Sequence, residues 1–193
     1  SNRVFAIERN EMLIGNPSQF VGLPLPGLVS PIGGFYSPQA FNTTGALAPP
    51  GTPAPIVYLQ DDSYNGVTTD HVKVWNAPID WTNPGNSSMS AAQVINTSPF
   101  LSVFDGGSFS NLAQPGGGPQ QDALQALVAN RAQYRRFGSY NSVLFNFVVD
   151  TDPGGGELAG IRWFELRQPT DGDPWTIFQE GTYTAPDDKH AWK

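Results

Sequence analysis

The chain has 193 residues, of which 39% are hydrophobic and 12% aromatic, with a formal net charge of −7 and only 14% charged residues. That apolar supply suffices for one substantial core, which disfavours disorder, while 21 Gly and 18 Pro are too many for a helical protein and suit an all-β chain with frequent turns. Ten basic residues against 17 acidic ones argue against nucleic acid or an anionic membrane surface as partner, because both need clustered Lys and Arg.

The absence of cysteine excludes disulfides and thiolate metal sites. No apolar run reaches the length of a membrane span and no basic-then-apolar leader opens the chain, so no membrane insertion is expected. The chain starts at Ser1 rather than Met and enters a strand-like run within three residues. The expectation is an interior piece of a longer precursor.

In chain order, residues 2–13 open on Val4, Phe5, Ala6 and Ile7, which suits a buried strand, and continue into a polar stretch able to form a short helical stub. Residues 19–25 read as an outer strand, held to an edge by Pro24 and Pro26, neither of which donates a ladder hydrogen bond. Residues 26–55 form a Pro- and Gly-rich connector, expected to be extended and surface-packed without regular structure. Residues 55–61 and 71–81 are the next strands, with Asn65-Gly66 between them as a hairpin signal. Residues 83–90 are a turn cluster, and 92–100 contain a weaker strand. Residues 104–121 are loop-like, with Gly106, Gly107 and Gly116 to Gly118. Residues 122–129 have helical propensity but run straight into the next strand, so an extended path with a helical turn at Asp122 is expected.

Residues 131–185 are the organising stretch. Four runs rich in β-branched and aromatic residues, 131–137, 142–149, 160–167 and 175–183, are separated by clusters of Gly, Pro, Asp and Ser, the punctuation of an antiparallel meander. Four strands of this length match one blade of a β-propeller. Three similar runs, Val4 to Ile7, Val72 to Trp75 and Ile161 to Phe164, each follow a turn and precede a polar break. Their unequal spacing fits a repeat whose insertions fall in loops. The expected fold is therefore all-β, a partial β-propeller of about two to three four-stranded blades from a larger propeller. It is a single segment divided as 1–30 (end of one blade), 31–104 (second blade with the connector), 105–187 (third blade) and 188–193 (start of the next, at His190-Ala191-Trp192). Its open faces require the remainder of the precursor or adjacent segments as partners.

Several stretches carry a family resemblance: Tyr134 to Gly138, Gly160 to Arg167, Trp175 to Tyr183, and Ala185-Pro186-Asp187 before Trp192. Together with residues 2–13 and Asn76 to Ser88, they resemble large secreted bacterial β-propeller-like surface proteins of uncharacterised function. The resemblance covers most of the chain apart from the Pro-rich connector. It implies export or a cell-surface location and the propeller architecture. It implies no catalytic residues.

Candidate site chemistry falls in a few places. Arg131, Tyr134, Arg135, Arg136, Glu165 and Arg167 offer the elements of a propeller sialidase, guanidiniums for a carboxylate and a Tyr–Glu nucleophilic pair. Strand alternation divides them, with Arg131 and Arg135 on one face and Tyr134 and Arg136 on the other, which favours strand-flanking Arg residues paired with Glu165 or solvated. Asp61, Asp62 and Asp70, and Asp150 with Asp152, can supply oxygen to a structural Ca²⁺, but neither set has the spacing of a full calcium loop, and as turn formers they need no ion. The same holds for Asp171, Asp173, Asp187 and Asp188. His71 and His190 stand far apart, no GxSxG elbow exists, and Gly154 to Gly156 lack the Lys-Ser/Thr of a phosphate loop. Asn42, Asn86 and Asn96 begin glycan-acceptor sequons. Trp163, Phe164 and Trp175 to Tyr183 are aromatic enough for sugar stacking, with core packing the preferred role.

No catalytic, cofactor or metal residues are assigned on this basis. The functional expectation is a non-enzymatic, secreted or cell-surface module for adhesion or glycan binding. Its alternatives are a polysaccharide hydrolase and a structural scaffold of a surface assembly.

Overall fold

The computed structural model describes residues 3–31, 33, 35–105, 110–154 and 156–191. Strands β1 (Arg3–Ile7) and β2 (Phe20–Pro24) form a separate antiparallel hairpin, with the short helix α1 (Arg9–Leu13) in its connection. The remaining strands are β3 (Gln39–Thr43), β4 (Ala54–Gln60), β5 (His71–Ala77), β6 (Gln93–Asn96), β7 (Ala132–Arg136), β8 (Asn141–Asp150), β9 (Ala159–Gln168) and β10 (Thr176–Tyr183). They join in one eight-stranded sheet of order β10-β9-β8-β7-β3-β4-β5-β6. The protein is thus nearly all-β, and this sheet curls into an almost closed, barrel-like form.

The sheet is two antiparallel meanders, β3 to β6 and β7 to β10, joined where β3 runs parallel to β7. Val72 to Trp75 lie in β5 and Ile161 to Phe164 in β9, the third strand of each meander, so two of the three similar runs hold equivalent places. Val4 to Ile7 lie in the isolated hairpin.

The core follows from alternation. Along β8, Val143, Phe145, Phe147 and Val149 point to one face, and Phe164 on β9 lies stacked near Phe145 and Phe147, at 5.4 and 5.7 Å between ring centroids. These residues share one cluster with Val57, Leu59, Val72 and Val74 of the first meander. The first meander is covered on its other face by the chain following β2. Trp75 Nε1 donates to the Pro26 carbonyl (2.9 Å), Lys73 Nζ to the Gly27 carbonyl (2.5 Å), and Gln60 bonds both backbone groups of Val29. Burial of strands on both faces explains why residues 56–60 read as a continuous apolar run rather than an alternating one.

The open side of the barrel is fastened by side chains. Gln93 of β6 exchanges two hydrogen bonds with the Trp175 backbone, at 2.7 and 3.0 Å. Glu180 of β10 accepts from the Ser98 amide and hydroxyl and pairs with buried Arg162. At the far end, close approach demands glycine: a Cβ on Gly160 would stand 2.9 Å from the Tyr183 carbonyl.

Three expectations are corrected here. The opening strand exists but is only half-buried: Val4 packs against the core, while the other face, with β2 as its only strand partner, is uncovered, leaving Phe5 62% and Phe20 69% exposed. The connector is not free of regular structure: it contains β3, which pairs with both β4 and β7. Residues 122–129 form no helical turn. Leu124 and Ala126 take left-handed φ values of 54° and 57°, and Asp122 Oδ1 accepts from the Leu124 amide in a tight turn instead. The all-β expectation holds, and β3 to β10 share one nearly closed, barrel-like sheet. Gly106, Gly107, Gly155 and Trp192 lie outside the described residues.

Gln60, fully buried, fastens the segment after β2 to the barrel, accepting from Val29 N–H (2.9 Å) and Lys73 Nζ (3.0 Å) and donating to the Val29 carbonyl (2.6 Å). Gln60→Leu strands these partners, so it should cost roughly 1–3 kcal/mol in urea denaturation. Limited proteolysis should then cut within residues 3–29 first. An unchanged midpoint and cleavage pattern would show that Gln60 does not hold this segment.

Candidate functional site

The six residues of the arginine-rich set are held by β7, β9 and their flanks, and the sheet separates them. Tyr134 is buried on the inward face, where its hydroxyl accepts from Arg136 (3.2 Å). Arg136 in turn forms a two-bond pair with Asp171, at 2.5 and 2.8 Å, and Asn141 donates to the same carboxylate (2.8 Å). Arg135, Glu165 and Arg167 occupy the outward face. Arg131 is exposed beside β7. Tyr134 and Glu165 therefore stand on opposite sides of the sheet and form no nucleophilic pair. Glu165 is also saturated, accepting from Arg167 Nε (2.6 Å), Ser142 Oγ (3.0 Å) and Gln179 Nε2 (2.8 Å). Burial pushes its carboxyl upward, but these three donors outweigh burial and hold it below its usual range.

The acidic turns are built as fasteners. Asp61, Asp62 and Asp70 bring carboxylate oxygens within 4.8 Å of one another. Asp61 accepts from the Ser63 amide (2.8 Å) and the Ser102 amide (2.5 Å), and Asp70 from the Asp62 and Phe100 amides, both at 2.7 Å. Both buried carboxylates therefore tie the β4–β5 turn to residues 100–102. Burial raises the Asp70 carboxyl above its usual range despite these bonds. Asp150 Oδ1 accepts from the Asp152 and Leu158 amides across the β8–β9 turn. His71 Nδ1 lies 2.7 Å from the Thr69 carbonyl, and His190 Nδ1 accepts from the Ala159 amide (3.3 Å), so the two histidines serve separate places in the fold. Asn86 and Asn96 are exposed, while Asn42 is half-buried within β3.

Of the aromatic candidates, Phe164 is wholly in the core, as is the Trp175 ring, which is 2% exposed. Trp175 meets Phe41 at 5.2 Å and Tyr134 at 6.1 Å between centroids, both edge-to-face. These three rings form the floor of a pocket of about 350 Å³ at one mouth of the barrel. Its walls come from the chain between β3 and β4, including Leu47, Pro49 and Pro53, and its polar points are Thr43, Asn76, Gln168 and Asp171. The Trp175 Nε1–H has no acceptor among the described residues. Sequence reasoning singled out Trp175 and Tyr134 but not Phe41 or the proline-lined wall, because these lie in the connector. The one available signal was the apolar content of residues 35–41 next to the prolines.

In chemical terms the pocket has an apolar, ring-lined floor and a rim of hydroxyl, amide and carboxylate groups, the lining of a site for a small molecule with both C–H and O–H surface. Among the described residues no helix is long and apolar enough to cross a membrane. Comparison with known proteins finds no matching family model, curated protein or solved structure.

The Arg136 bonds, then the Asn141 bond, hold the Asp171 carboxyl below its usual range. A carboxylate with a lowered folded pKa contributes stability that is complete above its unfolded pKa and drains as pH falls through the folded value. Asp171→Asn should therefore flatten the acid limb of the melting curve, between about pH 4 and pH 2. Melting temperatures measured across that range with parallel acid limbs in both proteins would refute the assignment.

Proposed function

We propose that this chain is a segment of an extracellular or cell-surface β-propeller that serves as a binding or adhesion module, with a neutral glycan as the ligand of the mouth pocket. The observation that carries the reading is the pocket itself. Its volume, about 350 Å³, suits one or two sugar rings, and such sites combine an aromatic surface with a few fixed polar groups. Trp175, Phe41 and Tyr134 supply the rings, and Thr43, Asn76 and Asp171 the partners for sugar hydroxyls. The propeller is supported by the repeated four-stranded meander. The low charge of the surface favours a neutral ligand. An extracellular location rests on the resemblance to secreted surface proteins.

The test is a glycan array followed by titration of Trp175 fluorescence with the neutral oligosaccharides that bind. Asn76→Ala, at an exposed rim position, should weaken binding at least fivefold without lowering the melting temperature. Blank arrays, or unaltered affinity in the variant, would count against the pocket as a sugar site.

A further inference from the structure

The outward face of β7, β8 and β9 carries a second hollow, of about 320 Å³. Strand register builds it. Arg135 pairs with Ser142 and Ser142 with Arg167, so these three stand in one cross-strand row, and Gln133, Leu144 and Glu165 make the next row on the same face. Arg135 and Arg167 are two strands apart, roughly 10 Å at the backbone. Both line the hollow with only a serine between them.

The two guanidiniums differ in rigidity. Arg167 is locked: Nε donates to Glu165, and the guanidinium carbon lies 4.3 Å from the Tyr140 ring centroid and 3.2 Å from that of Phe178. Phe178 reaches this position because β10 shifts register between Ile177 and Gln179, making Phe178 the extra residue and turning its ring outward. The terminal nitrogens of Arg167 have no protein acceptor among the described residues. Arg135 has no carboxylate or carbonyl partner among them either, and its guanidinium carbon lies 5.9 Å from the Phe137 ring centroid. Two cations against one saturated carboxylate leave this hollow net positive on a chain of net charge −7.

We propose that the hollow binds the carboxylate of an acidic glycan of the uronic-acid type. Arg167 presents its fixed terminal fork to the planar carboxylate, the geometry in which a guanidinium binds best, and Arg135 closes from the side. Gln133 and Thr44 supply the amide and hydroxyl groups that meet neighbouring sugar hydroxyls. A glycan is favoured over an acidic peptide because the site lies on a sheet face. Strands β7, β8 and β9 each have both edges paired, so no edge is open for a peptide to add as a strand. The site is separate from the mouth pocket, on the opposite face of β7.

Calorimetry on the whole chain with an oligogalacturonate, its methyl ester and a poly-glutamate peptide of equal charge tests the proposal. The acid oligosaccharide should bind, the ester at least tenfold more weakly, and added salt should weaken the acid form. Arg135→Gln and Arg167→Gln should each reduce affinity at least fivefold, while Lys189→Gln, which removes the same charge elsewhere, should not. Among the described residues the Arg135 side chain makes no hydrogen bond, so its variant keeps the test valid if Arg167→Gln is unstable. The proposal fails if the acid oligosaccharide does not bind, if the ester binds equally, or if Arg135→Gln is without effect. Poly-glutamate binding as tightly, with the same dependence on Arg135, would also overturn it and reassign the hollow to an acidic peptide. Trp175 fluorescence with neutral sugars reads the mouth pocket independently, so either site can fail without the other.

Discussion

A parallel pairing only three residues long, Phe41 with Ala132, Asn42 with Gln133 and Thr43 with Tyr134, makes one sheet out of two meanders. The Thr44 amide extends it by donating to the Tyr134 carbonyl (2.9 Å). Without it, the first strand of each meander would be unpaired on one side, an edge open to other chains. Phe41 and Tyr134 would no longer stand side by side to receive Trp175. The mouth pocket and the outward hollow both inherit their walls from this junction. Parallel ladders are slightly weaker per residue than antiparallel ones, so three pairs suffice only because ring packing and the Gln93–Trp175 bonds hold the far side.

The two faces of β7 divide the chemistry of the molecule. Alternation sends Tyr134 and Arg136 inward and Arg135 outward, so three neighbouring residues serve two sites. On the inward side, Arg136 is consumed by Asp171 and Tyr134, and it stiffens the rim of the mouth pocket. On the outward side, Arg167 is oriented by Glu165 while its terminal donors stay unspent. A guanidinium tied to a carboxylate through Nε keeps its planar terminal fork available, whereas an ammonium is a compact point charge with no fork to present.

Acidic residues that invite an ion-binding interpretation work as backbone anchors. Asp61, Asp70 and Asp150 each accept two amides, and in doing so they satisfy backbone donors in connections that have no ladder of their own. This economy suits a chain with long connections and no cysteine. The same connections carry the left-handed turns at Leu124 and Ala126, whose carbonyl in the latter case takes the buried Tyr58 hydroxyl at 3.0 Å.

The all-β class and most strands were legible in the amino-acid sequence, because alternating β-branched and aromatic residues between Gly, Pro and Asp clusters leave few other local solutions. Residues 131–185 show this best: the four runs there are β7 to β10, within a residue or two at most ends. Alternation also separated Tyr134 from Arg135 in advance. Other features were decided only in three dimensions. Strand β3 is short and flanked by prolines, and it exists because β4 and β7 both offer it hydrogen-bond partners. Exposure of β1 depends on what covers it, which no local pattern encodes. The mouth pocket gathers Phe41, Asn76, Tyr134, Gln168 and Trp175 from five separate segments, and the outward hollow depends on a cross-strand register and a bulge at Phe178. Sequence sets what each residue prefers locally; distances between segments far apart along the chain belong to packing.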